Sequence, residues 1–344
     1  MGAGRFIAAG IVAGVATALA RRKLDEKVAE GALGGADMWT RTNHRGEPIS
    51  LLEGPAVAVG LVAGAAVGGG TAPGATAFAT AAAGGFGLVD DLAEDTSVRT
   101  KGLRGHLGAL KEGKLTTGGL KVLGISGSAL VASAVGTPRT ARSAFGHLVD
   151  VGLNGALIGG TANLINLFDL RPGRALKAGT AASLPFALAG TGAAGAVLGA
   201  AAAAAPGDLG EKDMLGDGGA NALGALVGSQ IAFNAPRSVR WAALAGVVGL
   251  MLASEKVSFS KVIAGNEWLN RVDMLGRRPA ADSPAEPVEP VEPVEPVEPV
   301  EPVEPAETQD EVSASSAVGV GPTSGVGPIS GAGPTSGPVA SPGA

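Results

Sequence analysis

Nine apolar segments, at about residues 5–20, 51–69, 72–89, 119–136, 145–165, 178–191, 193–205, 218–235 and 239–254, leave few folds open to this chain. They are rich in Ala, Gly, Val and Leu with no two-residue alternation, a pattern that favours helices over half-buried strands. A helix satisfies its own backbone hydrogen bonds, which is the condition for crossing a bilayer. Several segments are shorter than the ~20 residues that a perpendicular span requires. The split of 178–205 into two rests on Gly190-Thr191-Gly192. The expectation is an all-α, polytopic integral membrane bundle of about nine transmembrane helices over residues 1–255. A cytoplasmic juxtamembrane segment (256–281) and a disordered tail (282–344) follow.

Composition supports a bilayer more than water. Glycine is abundant (57 residues), aromatics make up only 3% and tyrosine is absent. Small residues let helices approach closely in lipid; in water they would leave a poorly filled core. Mean hydropathy is +0.30 even with a polar tail included in the average. The absence of cysteine removes disulfides and thiolate metal sites, and says nothing of compartment. Arg5 and the apolar run to Ala20 have the outline of a signal peptide. The immediate Arg21-Arg22-Lys23 opposes translocation, so the run is read as a retained first span.

Charge sets the orientation. With the N-terminus outside, all but five of the 26 Lys and Arg fall in or at the edge of inner segments; the five are Arg5, Arg139, Arg142, Arg237 and Arg240. Such an excess marks the cytoplasmic side. The expected location is therefore the plasma membrane, multi-pass, with the C-terminal tail in the cytoplasm. That tail carries six Glu-Pro-Val triplets from Glu286, then Gly-Pro-Thr/Ile-Ser-Gly repeats over 321–337. Proline at every third position fits polyproline II and places the glutamates along one edge. The tail is either a solvated segment without a fold or an electrostatic surface for a partner that the sequence does not name.

Three polar clusters punctuate the apolar runs, and this topology gathers them on the cytoplasmic face. Asp90 and Asp91 end the third run. They either share a divalent cation, or divide metal binding and proton transfer between them, or are solvated helix-end carboxylates. Asn166 and Asp169, spaced i to i+3, share a face if the fifth helix extends that far. Asp217, in Gly216-Asp217-Gly218-Gly219 before the eighth run, has flanking glycines that allow close approach. It can cap the next helix, bind metal, or do both. The loop from Asp95 to Lys121 is basic; Lys101 and Lys121 either face anionic lipid or steady a diphosphate. His44 and His106 are read as solvated, and His147 falls on the outer side.

In this order and topology, the clusters over residues 1–255 resemble the polyprenyl-phosphate N-acetylhexosamine-1-phosphate transferases. The matching elements are Asp90-Asp91 after the third helix, Asn166 to Asp169 at the end of the fifth, and Leu215-Gly216-Asp217-Gly218-Gly219 before the eighth. His44-Arg45-Gly46-Glu47-Pro48 is similar, more loosely, to a basic-Gly-x-Pro stretch of that family. The resemblance implies transfer of a sugar-1-phosphate from a UDP-sugar to a polyprenyl phosphate, with Mg²⁺ as cofactor. It implies Asp217 as the metal ligand, Asp90 and Asp91 as catalytic residues, and Asn166, Asp169, Lys101 and Lys121 around the substrate. No nucleic-acid partner is expected, and a homodimer is left open. Two departures stand out. Leu170-Arg171-Pro172-Gly173 replaces the family's Gly-Leu-Asp-Gly, and no histidine-rich loop or tenth span follows residue 254. The alternative is a catalytically inactive relative that acts as a membrane partner of envelope-glycan or lipid-flipping machinery. A transporter would instead place its acids near mid-membrane.

Overall fold

The computed structural model describes residues 2–68, 70–93, 116–140 and 143–279. The tail, Lys101, His106 and the rest of the basic loop up to residue 115 lie outside the described residues. The chain divides after Ser283 into two units, and the first holds all the described residues.

Each of the nine apolar segments falls on a helix. In chain order these are α1 (Gly2–Ala29), α3 (Glu53–Gly68), α4 (Pro73–Ala93), α5 (Thr117–Gly136), α6 (Ala144–Phe168), α7 (Arg174–Leu188), α8 (Gly192–Leu209), α9 (Gly216–Asn234) and α10 (Arg237–Ser254). A short α2 (Ala36–Trp39) follows α1, and two short helices, α11 (Phe259–Ala264) and α12 (Glu267–Met274), follow α10. By length and hydropathy, α1, α5 and α6 are each sufficient to cross a membrane. The fold is mainly α with one addition that the sequence reading lacked. β1 (Thr40–Thr42) pairs antiparallel with β2 (Pro48–Ser50) across a turn at Gly46, whose φ of +80° suits glycine.

The helix ends obey local chemistry. Pro73 opens α4, where its missing N–H costs nothing. Thr116 caps α5 and Ser143 caps α6, each side chain accepting an N–H three residues on. The break between α7 and α8 falls where Gly190 takes a φ of +71°, so the split read from Gly190-Thr191-Gly192 is real as a helix break.

α9 is the hub. Of its 19 residues 16 are buried, enclosed by α3, α4, α6, α7 and α8. α10 is its opposite: it packs mainly on α6, buries only Val247, and exposes Val239, Trp241, Val248, Leu250 and Leu252. An apolar face of that kind suits contact with lipid.

Small residues set the tightest crossing. Gly10 and Gly14 of α1 lie against the backbone of Gly195 and Gly199 of α8, so a small residue recurs every fourth position on both helices. A Cβ at Gly199 would meet the Gly10 carbonyl carbon at 2.7 Å. Gly199→Leu is therefore expected to cost about 3 kcal/mol or more by forcing the backbones apart. Gly246→Leu on α10 meets nothing within 4 Å and should leave thermal unfolding in detergent unchanged. Equal midpoints for the two variants would refute this packing.

Candidate functional site

The N-terminus of α9 projects into the middle of one end of the bundle, and its placement depends on glycines in two neighbours. A Cβ at Gly87 of α4 would collide with the Asp217 carbonyl, and one at Gly54 of α3 would collide with that of Leu215. The incoming loop is tied to the hairpin. Ser50 N–H donates to the Lys212 carbonyl at 2.9 Å, and Met214 N–H donates to the Ser50 carbonyl at 2.9 Å. Gly216 then turns the chain into α9 with a φ of +56°.

Around that helix start the sequence-predicted acids meet. Asp91, at the end of α4, accepts the Asp217 N–H at 2.9 Å on one carboxylate oxygen and the Gly218 N–H at 2.8 Å on the other. A side chain from another helix thus caps α9; Asp217 itself does not. Negative charge there also complements the helix dipole. The backbone carbonyl of Asp91 accepts from the Arg41 guanidinium at 2.7 Å, which joins the hairpin to the end of α4.

Asp90, one residue and about 100° round the helix from Asp91, points elsewhere. Its carboxylate lies 2.6 Å from the Lys121 ammonium of α5. The same ammonium makes a short contact with the Asp217 carboxylate. Two carboxylates from α4 and α9 therefore converge on one cationic position, all three side chains being mostly buried.

Asp169 approaches from α6 in a different way from that expected. α6 ends at Phe168, and Asp169 is its C-cap with φ −76° and ψ 40°. The helix thus stops one residue short of Asp169, whose N–H donates to the Asn166 carbonyl at 3.0 Å. Burial pushes the Asp169 carboxyl well above the usual carboxylate range, and the charges of Asp208, Asp217 and Asp91 push the same way. The Gly216 N–H, bonded to it, pulls weakly in the other direction. Asp90, Asp91, Lys121, Asp169 and Asp217 thus occupy one neighbourhood supplied by α4, α5, α6 and α9. Lys101 lies outside the described residues.

The donor set accommodates a hydrated divalent cation. Mg²⁺ needs one or two carboxylates and completes its shell with water and phosphate oxygens. Asp90 and Asp217 already aim at a single cation position. Among the described residues, no set of three or more Asp, Glu, His or Cys is placed to hold a metal ion.

Several charged pairings were missed by sequence reasoning. Asp208 accepts the Gly173 N–H at 3.0 Å and thereby holds the start of α7. Arg45 pairs with buried Glu211 at 2.7 Å, and Arg278 pairs with Glu47 at 2.7 Å. Arg174 forms a two-point pair with Asp273 at 2.7 and 3.0 Å, which docks α12. In sequence these are isolated charges in polar stretches, with no spacing that marks them as partners. The chain matches no protein-family model and no curated protein.

Proposed function

We propose that the chain is a Mg²⁺-dependent glycosyl-1-phosphate transferase of the cell envelope. It would thread nine spans through the plasma membrane, N-terminus outside, with the α9 start on the cytoplasmic face. The observation that carries this reading is the convergence of Asp90, Lys121, Asp169 and Asp217 on the capped N-terminus of a mostly buried helix. The reaction has two anionic reactants, so positioning and charge stabilisation provide most of the catalysis. A polyprenyl phosphate oxygen would attack the β-phosphorus of a UDP-sugar, and the bond to UMP would break as UMP leaves with the electron pair.

Asp217 is the principal metal ligand in this proposal, with Asp90 beside it. When bound, Mg²⁺ would neutralise phosphate charge between the two reactants. The Lys121 ammonium, displaced from the carboxylates, would pair with diphosphate oxygens. Asp91 is a positioning residue, since both its oxygens are engaged by backbone amides. Asn166 and Asp169 would lie on the nucleotide side, and Lys101 would belong to the substrate-binding loop.

The full-length protein in detergent, given Mg²⁺, undecaprenyl phosphate and a panel of UDP-sugars, is expected to release UMP in a manner that depends on Asp217. The absence of release with every nucleotide would overturn the enzymatic reading. A second reading, the inactive membrane partner, is favoured by one observation: the Lys121 ammonium already occupies the position between Asp90 and Asp217 that a metal ion would take.

A further inference from the structure

On the other flank of α3, away from Lys121, lies a cavity of about 280 Å³ between α1, α3 and α8. It exists because Ala18, Ala56, Ala203, Ala204 and Gly207 line it and leave space where larger side chains would fill it. Glu53 lines it at 3% exposure, and neither of its carboxylate oxygens has a hydrogen-bond partner. The Thr17 hydroxyl, also lining it and 3% exposed, is likewise without a partner. A buried carboxylate in that condition is costly unless a donor reaches it.

The donors already present are committed to other groups. Arg21 holds Asp213 at 2.6 Å and makes a short contact with Asp25, yet its Nε remains unpartnered. Arg22 lines the cavity and is itself mostly exposed, its Nε on Glu26 at 3.0 Å. The cavity thus carries acceptors at Glu53 and Thr17, guanidinium groups at Arg21 and Arg22, and the carboxylates of Asp25 and Asp213 that Arg21 holds. An ammonium offers three N–H donors, enough to serve both unpartnered Glu53 oxygens. A phosphate joined to that ammonium by two carbons would find the guanidinium groups.

We propose that this cavity binds a phosphoethanolamine group, presented by a membrane aminophospholipid. The exposed row Ile7, Ile11, Val15 and Leu19 on α1 provides the apolar surface along which its acyl chains would lie. A choline headgroup, having no N–H, cannot satisfy Glu53. This inference uses the membrane reading of the helices and does not depend on phosphosugar transfer.

The test is thermal unfolding of the full-length protein in detergent with added lipid. Phosphatidylethanolamine should raise the midpoint by several degrees, and phosphatidylcholine and phosphatidylglycerol should not. Glu53→Gln, which removes the charge, and Ala18→Phe, which closes the cavity from an exposed position, should each abolish the shift. Because Ala18 is exposed, that variant keeps the test decisive if Glu53→Gln unfolds. An equal response to phosphatidylcholine, or an undiminished response in Ala18→Phe, would overturn the proposal. Soluble glycerophosphoethanolamine serves as the last arm. If it shifts the midpoint as far as the lipid does, the headgroup chemistry stands and the lipid source is overturned.

Discussion

Asp217→Asn is expected to lower UMP release by a hundredfold or more while leaving the unfolding midpoint close to that of the wild type. The substitution keeps the shape of the side chain and removes its charge. Lys121 retains Asp90 as partner at 2.6 Å, so no buried ion is stranded. The backbone N–H of Asp217, bonded to Asp91, is untouched. What is lost is the carboxylate that would hold Mg²⁺ against the developing phosphate charge, and a hundredfold corresponds to about 2.7 kcal/mol of transition-state stabilisation. Asp91→Ala provides the contrast. It strips the acceptor from two N–H groups at a mostly buried helix start, at about 1–3 kcal/mol for each group left unsatisfied. Activity and midpoint should therefore fall together in that variant. If Asp217→Asn keeps a third or more of the wild-type rate, the assignment of Asp217 is wrong, and if Asp91→Ala keeps the wild-type midpoint, so is the capping role.

Asp273→Ala should release α12 from the bundle at a cost of about 3–5 kcal/mol, the range for breaking a buried pair by removing one partner. The Asp273 and Arg174 side chains are each only 8% exposed, and Arg277 adds a third contact at 2.8 Å. Truncation would strand two guanidinium groups at once. Limited proteolysis and hydrogen exchange of residues 259–279 should both rise. Glu267→Gln, which breaks an exposed pair with Arg271 at 3.9 Å, should change neither. Acid should mimic the truncation. Burial alone would raise the Asp273 pKa, but the hydrogen bonds and charge of Arg174, with Arg277 and Lys177, prevail and hold it below the ordinary carboxylate range. A lowered folded-state pKa contributes stability that is fully present above the unfolded value of about 3.9 and is lost as pH falls through the folded value. α12 should thus stay docked at pH 5 and above and become protease-sensitive only below about pH 4. Release that begins near neutrality would contradict the ion pair as its cause.

Much of the helix plan was legible in the chain because apolar runs and their Gly and Pro breaks are local signals. Gly190 marked the end of α7 without reference to any partner. The site was legible only in outline. Asp90 and Asp91 read as a pair that either shared a cation or divided two roles, and helical geometry sends them to different helices, one to Lys121 and the other to the amides of α9. That division depends on where α9 begins, more than a hundred residues away. For Asn166 and Asp169 the reading turned on how far the fifth helix runs, and it ends at Phe168 with Asp169 as its C-cap. Glu53 attracted no attention because a charge at the start of an apolar run looks like an interfacial residue. Its burial comes from α1 and α8 closing over it, and no pattern near residue 53 encodes that.

The enclosure of α9 and the bareness of α10 also bear on how this sequence can drift. On α9, nearly every position meets a neighbour on all sides, and several glycines lie against another helix's backbone: Gly224 against Thr161 and Ala162, Gly228 against Leu157 and Ile158. Few replacements fit there, so a saturation library should return α9 almost unchanged. On α10, any apolar residue that keeps Val247 and the Arg240 contact to Asn154 should pass selection. Two adjoining helices of nearly equal length, separated by two residues, should thus evolve at very different rates. Among distant relatives, the eighth apolar segment should remain alignable after the ninth has lost all recognisable identity.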